Sequence, residues 1–154
     1  MWKSEFRRQG LACLLNLYYK IMSKIFTSPL YVEVSRNTMG PKKVLLNLNA
    51  YPNLHYQTYN KAKIEYKELM KDQMEGVKLN TPIMLNFKLW RKDSRKGDRA
   101  NVLAVVEKFF CDALQEWGCI ENDSDEYILG QTYSTGGIDR DFPRVEIEII
   151  EADK

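Results

Sequence analysis

Trp90–Asp125 reads WRKDSRKGDRANVLAVVEKFFCDALQEWGCIENDSD, and the rest of the chain is arranged around it. Arg91, Lys92, Arg95, Lys96 and Arg99 crowd the first ten positions and leave Asp98 as an isolated acid before a patterned segment. From Asn101 to Trp117 there is no Gly or Pro, and apolar residues fall at 102, 103, 105, 106, 109, 110, 113, 114 and 117. At about 100° per residue these cover one broad side of a helix. Lys108 and Asp112 fall about 20° to either side of Asn101, and the three form a polar stripe on the opposite side. Asp98 stands where a carboxylate suits the positive end of the helix, and Gly118 is a stop signal after the last apolar residue.

Outward from this helix the periodicity changes. Downstream, Tyr127–Thr135 reads as a strand and Gly136–Gly137 as a turn. Arg144–Ile150 then alternates, with Val145, Ile147 and Ile149 on one face and Glu146 and Glu148 on the other. Two neighbouring strands at the end suggest an antiparallel hairpin closing a sheet. Upstream, Ile83–Trp90 is a strand led by Pro82 and marked by Met84, Phe87 and Leu89. Leu30–Val34 and Val44–Leu48 are two shorter strands, separated by turn residues over Arg36–Lys43.

Between them Asn49–Asn60 is rich in Asn and Tyr, and Pro52 excludes a central strand. That loop opens a second helix from about Gln57 to Met74, with Ala62, Tyr66, Leu69 and Met70 as its buried face and Lys61, Lys63, Lys67 and Lys71 mostly outward. His55, the single histidine, lies in the loop with no acid or nucleophile near it in sequence, so a catalytic role for it has little support. Tyr51, Tyr56 and Tyr59 suit either base stacking or packing.

Together these elements make an α+β domain, a small mixed β-sheet packed by two main helices. With 154 residues the chain forms one domain over residues 25–154, preceded by residues 1–24 as an extension or short helix. In that extension LACLLNLYY follows Arg7 and Arg8 but is far short of the ~20 apolar residues of a membrane span. Three cysteines without a CxxC fit a reducing compartment and argue against a disulfide frame or zinc site. The net charge of +2 hides a strong asymmetry, since residues 1–99 carry +11 and residues 121–154 carry −7. Such a chain can present a basic face to nucleic acid beside an acidic region, and it can equally be an ordinary protein with two solvated ends.

The order D-x-x-N (Asp98–Asn101), K-x-x-x-D-A-L (Lys108–Leu114) and W-G-x-x-x-N-D (Trp117–Asp123) resembles the RusA family of Holliday junction endonucleases. Leu46–Glu68 resembles the opening segment of phage-type members, so the likeness spans roughly residues 44–150. It implies a metal-dependent, structure-selective endodeoxyribonuclease that resolves four-way DNA junctions in recombination and repair. It also implies a homodimer with Mg²⁺ or Mn²⁺ as cofactor and, with no membrane role, the cytoplasm of a bacterial or phage-infected cell.

Carried over position by position, the catalytic residues are Asp98, Lys108 and Asp123. Asp98 and Asp123 match the family's metal-binding acids, with Asp112 as a further candidate ligand. The loop Arg91, Lys92, Arg95, Lys96 and Arg99 is the DNA-binding element, because cations hold the phosphate backbone without reading sequence.

The chain departs from the family pattern at three points. Ala100 stands where the second acid of D-x-D belongs, and Asn122 where the first of the paired aspartates belongs. The interval from Asn101 to Lys108 is also four residues longer, about 6 Å of helix. Glu107 is the candidate replacement carboxylate. Two alternatives therefore stand beside the nuclease: a weakened relative that binds branched DNA without cutting, and an unrelated α+β protein-interaction domain.

Overall fold

Asp98 starts the helix that the sheet is built on: its carboxylate accepts the Ala100 amide at 2.9 Å, and the helix α2 runs Arg99–Glu116. The helix ends where Gly118 adopts φ +68, which lets Cys119 N reach Leu114 O at 2.8 Å. The computed structural model describes residues 23–151. Along them lie β1 (Lys24–Ser28), β2 (Tyr31–Val34), β3 (Lys42–Leu45), a 3₁₀ turn (Tyr51–Asn53), and α1 (Tyr56–Met74). After these come β4 (Ile83–Arg91), α2, β5 (Ile128–Ile138) and β6 (Arg144–Glu151). The expected extension or short helix over residues 1–24 lies outside the described residues except for Ser23 and Lys24, and Lys24 already opens β1.

The expected α+β arrangement is present: a four-stranded mixed sheet in the order β1-β6-β4-β5, two helices, and a two-stranded antiparallel β2–β3 pair. The last two strands both enter the sheet, but they flank β4 instead of forming a hairpin with each other. β5 runs parallel to β4 and β6 antiparallel to it. Strand choice here follows burial. β4 carries Ile83, Leu85, Phe87 and Leu89 on one face, all fully buried, and so takes a central position with a neighbour on each side.

That apolar face meets the helices. Leu85, Phe87 and Leu89 stand opposite Ile149, Ile147 and Val145 of β6, which are buried as their alternation predicts. Phe110 of α2 packs edge-on against Phe26 and Phe87, and Phe109 against Tyr51, Tyr59 and Tyr66. In α1 the buried set is Ala62, Tyr66, Met70 and Met74, spaced by four. Leu69, expected inside, is exposed, because it lies one step off that row.

The glycines at 136 and 137 correct a second expectation. They lie within β5 and do not form a turn. A Cβ on Gly136 would stand 2.5 Å from Cε2 of Trp90, so glycine is needed there to seat the indole against the strand.

The two sheet edges are treated differently. On the outer edge of β1 the Gln73 side chain acts as a strand substitute: its amide oxygen accepts Thr27 N at 2.7 Å and its NH₂ donates to Thr27 O at 2.8 Å. The outer edge of β5, eleven residues long, has no partner strand among the described residues.

Candidate nucleic-acid interface

β4 and β5 run in parallel, so Arg91 and Ile138 end side by side, and the Arg91–Arg99 loop rises from that end of the sheet. Asp139 N donates to Arg91 O at 2.7 Å and fastens the two strand ends. The loop then closes on itself. Arg91 Nη2 donates to Gly97 O at 2.7 Å, and Asp93 Oδ1 accepts Arg95 N at 3.0 Å. Arg99, in the first turn of α2, reaches across to Thr135 Oγ1 at 3.2 Å.

These contacts enclose an open depression of about 510 Å³. Arg91, Arg95, Lys96 and Arg99 line it together with Asp93 and Asp98, and the end of β5 supplies Thr135, Gly137 and Ile138 as its other wall. Lys92, Arg95, Lys96 and Arg99 are exposed. Four of the loop's five cations therefore surround one concave surface, with a carboxylate, Asp98, at the start of a helix inside it, while Lys92 lines a neighbouring hollow with Leu30, Leu89 and Val102. Sequence reading found the loop but missed Asp93 and the β5 wall. The only local signal for that wall was Gly136–Gly137, read as a turn.

The remaining candidate residues lie elsewhere on α2 or, for Asp123, beyond its end. Cys111, thirteen residues beyond Asp98 and so about 20 Å along the helix, is buried, and burial pushes its thiol up to about 12. The negative charges of Glu107, Asp123 and Asp112 push in the same direction. Asp123 is exposed and lies beyond the end of α2, on the segment that follows Gly118.

Glu107 is engaged by the phenol of Tyr133 in β5. Burial first, then that bond to the carboxylate, raises the Tyr133 pKa. Asp112, read from sequence as part of a polar stripe, faces α1 instead and pairs with Lys63 at 2.5 Å. Its Oδ2 is buried with that charge partner and no aligned hydrogen bond. Lys108 is exposed.

Asp98 and Asp112 stand fourteen residues apart on α2, about 21 Å along its axis, and Asp123 lies beyond its end. Among the described residues no group of three or more His, Cys, Asp or Glu is placed to hold one metal ion. The described donor set of a single protomer does not fit a shared divalent cation.

Two further candidates have structural work. His55 caps α1, its Nδ1 accepting Gln57 N at 3.3 Å. Tyr51 donates to Tyr59 at 3.0 Å and both pack on Phe109, whereas Tyr56 is exposed. Burial raises the Tyr59 pKa, and the Tyr51 bond and the Asp112 charge add to it. Cys111 and Cys119 are free and buried, and Cys13 lies outside the described residues. No described helix is long and apolar enough to cross a membrane. Comparison with models of known protein families and with curated proteins finds no match for the chain.

Proposed function

We propose that this protein is a structure-selective endodeoxyribonuclease of the RusA type, acting on four-way DNA junctions in recombination and repair. The observation that carries the proposal is the position of Asp98 in a depression lined by Arg91, Arg95, Lys96 and Arg99. A phosphodiester brought to that surface meets cations on several sides and a carboxylate at a helix start. Such contacts bind backbone without reading bases, which suits recognition of branch shape over sequence.

Mg²⁺ or Mn²⁺ is the cofactor this reading calls for, and that assignment rests on the resemblance, since Asp98, Asp112 and Asp123 do not converge within one protomer. The same separation, with Ala100 and Asn122 in place of two family acids, favours a second reading: a protein that binds branched DNA and does not cut it.

A homodimer completes the proposal. The outer edge of β5, without a partner strand among the described residues, has opposite charges at its two ends. Glu121, Asp123, Asp125 and Glu126 precede it, and the Arg91–Arg99 loop stands at its far end. Two copies paired antiparallel along β5 set each basic end against the partner's acidic end, the self-complementarity a two-fold interface requires.

The test is incubation of an end-labelled four-way junction and a linear duplex of the same sequence with the protein and Mg²⁺. Cleavage confined to the junction is expected. Tight junction binding without cleavage selects the second reading, and binding to neither DNA removes both.

A further inference from the structure

Arg91 is the one cation of the basic loop that belongs to the sheet. It is the last residue of β4, its carbonyl holds Asp139 N at 2.7 Å, and it is only half exposed. Its guanidinium turns toward the protein, donating from Nη2 to Gly97 O at 2.7 Å across the base of the loop.

Gly97 fits this contact for a reason of space. Positive φ is found at Gly76, Gly118 and Gly137 and not at Gly97, so its backbone makes no demand for glycine. A Cβ on Gly97 would instead stand 2.9 Å from Arg91 Nη1 and 3.7 Å from Cζ, on the surface the guanidinium occupies. The sequence R-x-x-x-x-x-G (Arg91 to Gly97) thus encodes a flat cation laid against a bare backbone.

We infer that Arg91 and Gly97 form a clamp that holds the 92–98 loop in its binding shape, and that Arg91 is a positioning residue while Arg95, Lys96 and Arg99 meet phosphate. This rests on the phosphate-binding reading of the depression and adds a division of labour within it. A loop of small, polar and charged residues has few apolar contacts to order it, so its shape falls to such crosslinks. Closing the loop before DNA arrives lowers the ordering cost of binding. The clamp therefore raises affinity without neutralising a phosphate.

Counterion release separates the two roles. Each phosphate contact contributes about 0.9 to the slope of log affinity against log salt, and a positioning residue contributes nothing to that slope. Junction binding by Arg91→Gln, Gly97→Ala, their double variant and Arg95→Gln is measured across a salt series. Alongside, limited trypsin digestion without DNA follows cleavage after Arg95 and Lys96.

Arg91→Gln is expected to weaken binding roughly tenfold, as for loss of a charge-assisted hydrogen bond, at the wild-type slope, and Gly97→Ala, which keeps the carbonyl and displaces only the flexible end of Arg91, should weaken it less. The double variant should be no weaker than Arg91→Gln alone, since both changes act on one contact. Arg95→Gln should flatten the slope by about 0.9. Trypsin should cut the loop roughly tenfold faster in Arg91→Gln. A slope that flattens in Arg91→Gln as it does in Arg95→Gln, or an unchanged trypsin rate in Arg91→Gln, overturns the clamp. Should the wild type show no salt-dependent binding, the phosphate reading fails while the trypsin rates still decide whether the loop is clamped.

Discussion

The Tyr133 phenol donates to the Glu107 carboxylate, tying the middle of β5 to the middle of α2. The link accounts for a carboxylate on the flank of α2 that would otherwise stand as an unattached acid. It also gives β5 a polar anchor on its helix side. Tyr133→Phe should lower unfolding free energy by about 1.5 kcal/mol, the worth of a hydrogen bond to a charged group. Glu107→Gln keeps an acceptor for the phenol and should cost less. Urea denaturation of the three proteins checks both, and equal midpoints would show the bond contributes nothing. Junction cleavage by Glu107→Gln at the wild-type rate would confine Glu107 to this tie.

Assembly through β5 is testable by charge reversal. Asp123→Lys with Asp125→Lys sets cation against cation at both ends of the proposed two-fold, and should raise the dimer dissociation constant at least about tenfold. Adding Arg95→Glu and Lys96→Glu to that chain restores opposite charges and should restore the dimer. Sedimentation velocity at micromolar concentration reads the outcome. A wild type that stays at its 18.1 kDa monomer mass would exclude the dimer, and a dimer indifferent to the reversal would place the interface elsewhere.

Where local pattern dictates structure, the sequence was legible. The apolar spacing of α2 and the alternation of β6 place Phe110, Ile147 and Ile149 inside, and the structure agrees because both patterns reflect contact with one core. What pattern cannot carry is the choice of partner. Nothing local to β5 or β6 says that β4 will lie between them, and this undid the hairpin. Gly136 reads as a turn residue until Trp90, forty-six residues earlier, is found against it. Asp112 reads as solvated until Lys63 arrives from α1. In the candidate site the loop's charge was plain in the sequence, whereas its β5 wall depended on the parallel β4–β5 register.

The Cys111 thiol offers a pH prediction with a fixed sign. Burial, then the Glu107, Asp123 and Asp112 charges, raise it from 9.0 to about 12 in the folded protein. The folded state thus keeps a proton that the unfolded chain loses first. The stability this provides is fully present below about pH 9 and falls as pH rises toward the folded value. From pH 8 to pH 10 wild type should lose about 1.4 kcal/mol more than Cys111→Ala, the free energy of one pKa unit. Denaturant melts at the two pH values check this, and an identical loss in both proteins would show that Cys111 is not the group responsible. Iodoacetamide at pH 8 should label Cys111 only after unfolding.

Asp98 has two jobs in the proposal, and one substitution separates them. As a helix cap it supplies an oxygen to Ala100 N at 2.9 Å, and asparagine caps about as well. Asp98→Asn therefore keeps the cap and removes only the charge, at a cost of at most about 1 kcal/mol from the lost helix-end interaction. Asp98→Ala removes both and should cost about 1 kcal/mol more. If Asp98 acts on the scissile phosphodiester, Asp98→Asn should stop junction cleavage while the fold and its melting stay near wild type. Binding should hold or tighten, because one negative charge has left a surface that meets phosphate. Asp123→Asn, at an exposed position, should likewise leave stability unchanged, and its effect on cleavage shows whether Asp123 contributes from beyond the end of α2. Cleavage assays beside urea melts read all of these. Wild-type cleavage by both Asp98→Asn and Asp123→Asn would remove these acids from the reaction.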